Sequence, residues 1–217
     1  MTKIKGVIFD LDGVLTNASD AHFSAWKALA KTIGIDLPDH FESRLKGVSR
    51  KVSLERILDY GGLTIPNGEQ ERLREQKNTH YQAIIRTFDA SNLYQGVELL
   101  LNQLRSVHVK IALGSASLNA PMLIDALGIA QYFDYVVNPK KLKSKPAPDI
   151  FLDAQQAFKL PSAACLGIED AVAGIDAIKA ANMHAVGIGD AKELMHADAC
   201  FPNIQAATPY ILNCTKG

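Results

Sequence analysis

Gly6-Val7-Ile8-Phe9-Asp10-Leu11-Asp12-Gly13 is the stretch on which the reading of this chain turns. Its first four residues form a short apolar run rich in β-branched and aromatic side chains. That pattern suits a strand buried on both faces. The run ends in two carboxylates spaced two apart. Within a strand Asp10 and Asp12 share a face only while the strand lasts; beyond its end the chain can turn both towards one site, and Gly13 permits such a turn. Taken alone, the pair reads equally well as solvated loop acids that cap a following helix.

Similar runs recur at Lys110 to Leu113, Cys165 to Ile168 and Ala185 to Ile188, with Tyr135-Val136-Val137 as a fifth. Amphipathic helical patterns lie between them: Val97, Leu100, Leu101 and Leu104; Ile150, Phe151, Ala154 and Phe158; Val172, Ile175 and Ile178. Strands alternating with such helices imply βαβ units and a parallel sheet covered on both faces, an α/β fold. Right-handed crossovers place all strand ends that precede helices on one edge. Ligands bind outside those carboxyl ends.

Residues from about Ala18 to Asn92 interrupt the alternation with helical spacing alone. Phe23, Trp26, Ala30 and Ile33 mark one helix. Leu54, Ile57 and Leu58, stopped by Gly61-Gly62, mark a second, and the spacing predicts a third over Gln70 to Arg86. The expected organisation is an α/β core of residues 1–16 and 92–217 with an all-helical cap of residues 17–91. The tail after Asp198 carries no clear pattern.

Three more features gather at the predicted strand ends. Ser115, Ala116 and Ser117 follow the second run, where hydroxyls and free amides at a helix start suit a phosphate. Lys145 sits before Pro146, whose ring demands an extended entry. Glu169 and Asp170 close the run that begins at Cys165. Each has an ordinary reading as a cap or a surface charge. Together they bring acids from two strand ends, a hydroxyl from a third and a lysine to one edge. Clustered carboxylates repel unless a cation joins them, and hard oxygen ligands favour magnesium.

These four motifs, in this order and over nearly the whole chain, resemble those of the haloacid dehalogenase superfamily of phosphotransferases. Within it the chain is similar to the sugar-phosphate mutases. The supporting residues are His22-Phe23 and Ala25-Trp26-Lys27, Leu45-Lys46-Gly47-Val48-Ser49-Arg50 with Ser53, Lys77-Asn78, and Ser115-Ala116-Ser117 with Asn119. The resemblance implies interconversion of β-D-glucose 1-phosphate and D-glucose 6-phosphate through an aspartyl-phosphate and glucose 1,6-bisphosphate, with Mg2+ as cofactor. Asp10 is then the nucleophile. Asp12 is the general acid and base, and its backbone carbonyl joins Asp10, Glu169 and Asp170 around the metal. Ser115 and Lys145 bind the transferring phosphoryl group, while Arg50, Ser117 and Asn119 hold the second phosphate. His22, Trp26, Lys46, Gly47, Val48, Ser49, Ser53, Lys77 and Ala116 complete the substrate surface, with His22 and Lys77 coupling cap closure to Asp12.

Departures from the family pattern leave neighbouring functions open. Asn17-Ala18 replaces an acid and a hydroxyl near Asp12, and Leu118 stands where a lysine is usual. A sugar-phosphate phosphatase, a mutase for another sugar or disaccharide phosphate, and a binding module without turnover are the alternatives.

Composition argues against other classes. The 217 residues carry 23 basic and 23 acidic side chains, and that balance speaks against nucleic acid or an anionic membrane as the main partner while leaving local basic clusters for a small anion. Cys165, Cys200 and Cys214 have neither a disulfide-framework nor a zinc-site spacing. The expectation is a monomeric cytoplasmic enzyme acting on a small sugar phosphate.

Overall fold

A computed structural model describes residues 2–216. Six parallel strands form one sheet: β1 (Gly6–Phe9), β2 (Lys110–Leu113), β3 (Tyr135–Val136), β4 (Cys165–Glu169), β5 (His184–Ile188) and β6 (Ala199–Phe201). Their order across the sheet is β3-β2-β1-β4-β5-β6. The chain moves outward from β1 in one direction and later returns to its other side, so the crevice where strand order reverses lies beyond Phe9.

Alternation along β1 sorts the two layers. Val7 and Phe9 face a cluster built with Leu100, Leu104, Ile124 and Ile211, from α4 (Val97–Ser106), α5 (Ala120–Ala126) and α8 (Ile204–Cys214). Ile8 faces Phe151, Ala154, Ile175 and Ile178, from α6 (Asp149–Phe158) and α7 (Val172–Ala180). Both faces of β1 are completely buried, which explains its unbroken apolar run.

The segment after β1 contains α1 (Ala18–Thr32), α2 (Arg50–Gly61) and α3 (Asn67–Ile85), and no strand. These helices enclose their own apolar cluster of Trp26, Leu29, Phe41, Leu54, Ile57 and Leu73. α2 begins on Ser49, whose Oγ accepts from Val52 N, and stops at Gly62 with φ 64°. The segment leaves and rejoins the sheet at neighbouring points. Thr16 Oγ1 donates to Asn92 O at 2.8 Å, and Tyr94 N donates to Leu15 O at 3.0 Å.

Several expectations change: β4 runs on to Glu169, β5 begins at His184 and α3 ends at Ile85, each one residue from the expected bound. α3 starts at Asn67 rather than Gln70, because its first turn offers no apolar residue to mark it. β3 stops at Val136, one residue short of the predicted run. The unassigned tail holds β6 and α8; the strand is a three-residue half-buried edge, and the helix carries Pro209. No helix among the described residues is long and apolar enough to cross a membrane.

Candidate active site

Asp10 is the first residue beyond β1 and is held in the sheet by its N–H, which donates to Ile168 O at 2.9 Å. The chain then turns sharply, with Leu15 N donating to Leu11 O and Gly13 N to Thr16 O. Gly13 has φ +87°, and a Cβ there would stand 2.1 Å from Asp170 Oδ2. Only glycine lets the β1 loop and the β4 loop approach this closely.

Lys145 reaches in from the loop between β3 and α6. Its ammonium donates to Asp10 Oδ1 at 2.6 Å and to Glu169 Oε1 at 2.5 Å, and it is fully enclosed. Glu169 Oε2 accepts from the N–H groups of Asp170 and Ala171, both at 2.9 Å. The motif acids and lysine read from separate parts of the sequence thus converge at one edge. Ser115, buried at the end of β2, accepts from Ser117 N at 3.1 Å, and Ser117 Oγ accepts from Asn119 N at 3.2 Å.

The electrostatics are unbalanced. Burial pushes the Asp10 carboxyl well above the usual carboxylate range; Lys145 opposes this, while Glu169, Asp12 and Asp170 reinforce it. Burial, followed by the charge of Glu169, raises Asp170 to about 7. Burial alone would lower the Lys145 pKa, but Asp10 and Glu169 more than reverse it. Asp12 Oδ1 and Asp170 Oδ2 are buried without a hydrogen-bond partner among the described residues, although Lys46 Nζ stands 3.3 Å from the latter. Oxygens of Asp10, Glu169 and Asp170 lie within 4.8 Å of one another. The orphaned Asp170 oxygen in an all-oxygen donor set fits a divalent magnesium ion. Asp10 and Asp170 would hold it, with Glu169 beside them. The Asp12 side chain is outside this cluster.

Above the carboxylates lies a cavity of about 440 Å³ between the sheet edge and the helical segment. Of the sequence-predicted surface, His22, Trp26, Lys46, Gly47, Val48, Ser49, Arg50, Ser53, Lys77, Ser115, Ala116 and Ser117 line it, as do Asp10, Asp12 and Asp170. Asn119 lies behind the wall, while Lys145 and Glu169 sit beneath the floor, bonded to protein partners.

Lys77 is buried among apolar and aromatic groups, 4.5 Å from the Tyr81 ring centre and 5.1 Å from that of Trp26. Its Nζ meets His22 Nδ1 at 2.6 Å, and His22 Nε2 points to Asp12 Oδ2 at 3.5 Å. An ammonium can only donate, so while Lys77 carries its proton Nδ1 accepts and the imidazole proton sits on Nε2, towards Asp12. Two residues here escaped the sequence reading. Tyr81, one turn beyond Lys77, stacks on His22 at 3.8 Å. Ser144, next to Lys145, accepts from Ser49 N at 2.8 Å and ties the sheet edge to the start of α2. Tyr81 was legible from its four-residue spacing to Lys77; Ser144 had no such signal.

Burial, with Arg50 adding repulsion, lowers the Lys77 pKa to about 7. An unfolded lysine titrates near about 10.4, so the unfolded chain holds one more proton across the intervening range. Stability should therefore rise with pH from about 7 to about 10, by up to roughly 1.4 kcal/mol per pH unit from this group. Urea unfolding at several pH values should show that rise in the parent and its loss in Lys77→Met. Parallel curves would show that Lys77 is not buried as described.

A parallel sheet with a buried aspartate at the end of its central strand, paired to a lysine and flanked by a second acidic pair, defines a phosphoryl-transfer site of the haloacid dehalogenase type. The comparisons agree: the haloacid dehalogenase-like hydrolase family matches residues 4–182. The chain belongs to that family. Among its relatives it is 44% identical to a β-phosphoglucomutase of Bacillus subtilis, over 90% of this chain and 88% of the other. A β-phosphoglucomutase structure from Clostridium difficile superposes with a TM-score of 0.94 at 38% identity, covering 98% and 97% of the two chains. A more distant relative, 25% identical over 90% of this chain and 92% of its own, is a phosphorylated carbohydrates phosphatase of Thermotoga maritima. The chain is a β-phosphoglucomutase homologue.

Proposed function

We infer that the protein is a sugar-phosphate mutase interconverting β-D-glucose 1-phosphate and D-glucose 6-phosphate, with glucose 1,6-bisphosphate as the intermediate that also primes the enzyme. The observation that carries the reading is a double one. A buried nucleophile and a guanidinium line the same cavity. Lys145 donates to Asp10 Oδ1. Arg50, at the first turn of α2, lines the cavity with Asp10. A bisphosphate can therefore meet an anion site in addition to the nucleophile, and a guanidinium can grip phosphate through two N–H groups.

The steps follow from the side chains. With Asp10 phosphorylated, a hydroxyl of the sugar phosphate attacks the aspartyl-phosphate, Asp12 takes the hydroxyl proton, and the bond from phosphorus to Asp10 breaks, leaving the bisphosphate. The bisphosphate turns end for end, and an oxygen of Asp10 attacks its other phosphorus. The bond from that phosphorus to the sugar oxygen breaks, and Asp12 gives the oxygen its proton. Lys145 and Ser115 steady the phosphoryl oxygens while the group moves. Mg2+ neutralises phosphoryl charge when bound. The neutral His22, tautomer-fixed by Lys77, offers Nε2–H to Asp12. We propose that residues 17–91 act as a cap over the cavity, excluding water that would hydrolyse the aspartyl-phosphate.

The direct test is incubation with β-glucose 1-phosphate, magnesium and a trace of glucose 1,6-bisphosphate, followed by phosphorus NMR. Glucose 6-phosphate should accumulate without inorganic phosphate; inorganic phosphate released at the mutase rate would overturn the reading in favour of a phosphatase. Arg50→Ala should lower mutase kcat/KM by roughly tenfold to a hundredfold, the scale of one lost charged hydrogen bond, and spare hydrolysis of an aryl phosphate. Equal losses on both substrates would remove Arg50 from the second phosphate site.

A further inference from the structure

Outside the cavity lining three side-chain amides run in line, two from α3 with one from the sheet edge between them. Gln82 Nε2 donates to Asn119 Oδ1 at 2.9 Å. Asn119 Nδ2 donates to Asn78 Oδ1 at 2.9 Å. The same Asn78 oxygen accepts from Arg50 Nη2 at 2.8 Å. Gln82 and Asn78 are one turn apart on α3 and so share a face. Asn119 belongs to the loop before α5, with its main-chain N–H held by Ser117 Oγ.

The direction of this line is dictated from its Arg50 end. A guanidinium has donors only, so Asn78 must turn its oxygen to Arg50. That oxygen then requires the NH2 of Asn119, which leaves the Asn119 oxygen facing Gln82. Gln82 must answer with its own NH2. Each amide has one orientation that works, and Gln82 sets the last of them. None of the three lines the cavity, whereas Arg50 and Ser117 do. The loop Gly114 to Ala120 carries no cationic side chain, and its Leu118 is exposed. Orientation of the remaining donors is thus what this loop can contribute.

We infer that Gln82 is a positioning residue for the second phosphate: through Asn119 and Asn78 it aligns Arg50 and ties the helical segment to the phosphate loop. This rests on the reading that Arg50 serves that phosphate, with Asn119 acting from behind the wall. The relay joins α3 to the sheet edge, so it exists only while the two are closed on each other. Substrate binding and closure then share one set of hydrogen bonds.

Gln82→Met keeps the length of the side chain and removes its donor. It should lower mutase kcat/KM roughly tenfold, mainly through a raised KM for glucose 1,6-bisphosphate. Phosphorylation of the enzyme by acetyl phosphate, which has no second phosphate, should proceed at the parental rate; this also reports an intact fold. The double variant Gln82→Met/Asn119→Ala should be no worse than Asn119→Ala alone, since Gln82 acts through Asn119. Additive defects, or a Gln82→Met enzyme with parental KM beside an impaired Asn119→Ala, would overturn the inference and leave the mutase reading standing. An Asn119→Ala enzyme with undiminished mutase activity would remove the phosphate role itself, and the inference with it.

Discussion

Asp10→Asn should abolish mutase turnover, with a loss of at least about ten-thousand-fold, and should leave the protein folded. The size follows from the kind of step removed. A carboxylate that takes the phosphoryl group splits one hard transfer into two easier ones. An amide of the same shape cannot. Losing a covalent nucleophile elsewhere costs on this scale. Stability should move the other way. Burial and three neighbouring acids already disfavour the Asp10 charge, so a neutral isostere relieves repulsion, and Lys145 keeps Glu169 as its partner at 2.5 Å. Melting temperature without divalent ion should therefore hold or rise. Mass spectrometry after acetyl phosphate treatment should show one added phosphoryl group in the parent and none in the variant. A phosphorylated Asp10→Asn enzyme would place the nucleophile elsewhere.

Lys145→Met should harm both stability and rate. Its ammonium is the hydrogen-bonding cation for two buried carboxylates. Removing one member of a buried ionic group leaves the others uncompensated, at a cost of roughly 3–5 kcal/mol. For a chain of this length that is a fall of roughly 10 °C in melting temperature. The deficit should shrink as pH falls, because Asp10, its pKa already raised and now without its cation, takes up a proton. Magnesium should recover part of it by supplying charge to the same oxygens. Turnover should drop by roughly a hundredfold to a thousandfold, as when a preorganised donor to a developing charge is lost. An unchanged melting temperature would mean that the carboxylates do not depend on Lys145.

How much was legible depended on burial. β1 was read to the residue because a strand covered on both faces is written as an uninterrupted apolar run, and β2 because Ile111 to Leu113 are buried in the same way behind the exposed Lys110. β6 was missed because Ala199-Cys200-Phe201 is short, half exposed and without β-branched residues. The motif acids could be gathered in advance, since every one ends or follows a strand in the same parallel sheet and parallel strands end on one side. Lys145 was foreseen as a phosphate contact, and the structure shows why it carries more: its own partners are the acids. Asn119 was read as a ligand and lies behind the wall. Gln82 had no signal at all, being one polar residue in a polar helix. Its role depends on which loop packs against α3, and no periodicity records that.

The paired bonds at Thr16–Asn92 and Leu15–Tyr94 bring the two ends of the helical segment side by side. Seen from the sheet, the excursion resembles a handle fixed at one spot. Closing a longer or shorter handle changes the entropy only slowly with length. Evolution can therefore lengthen, trim or exchange that segment while the carboxylate floor stays in register. New substrates become accessible to lineages that never rebuild the chemistry beneath.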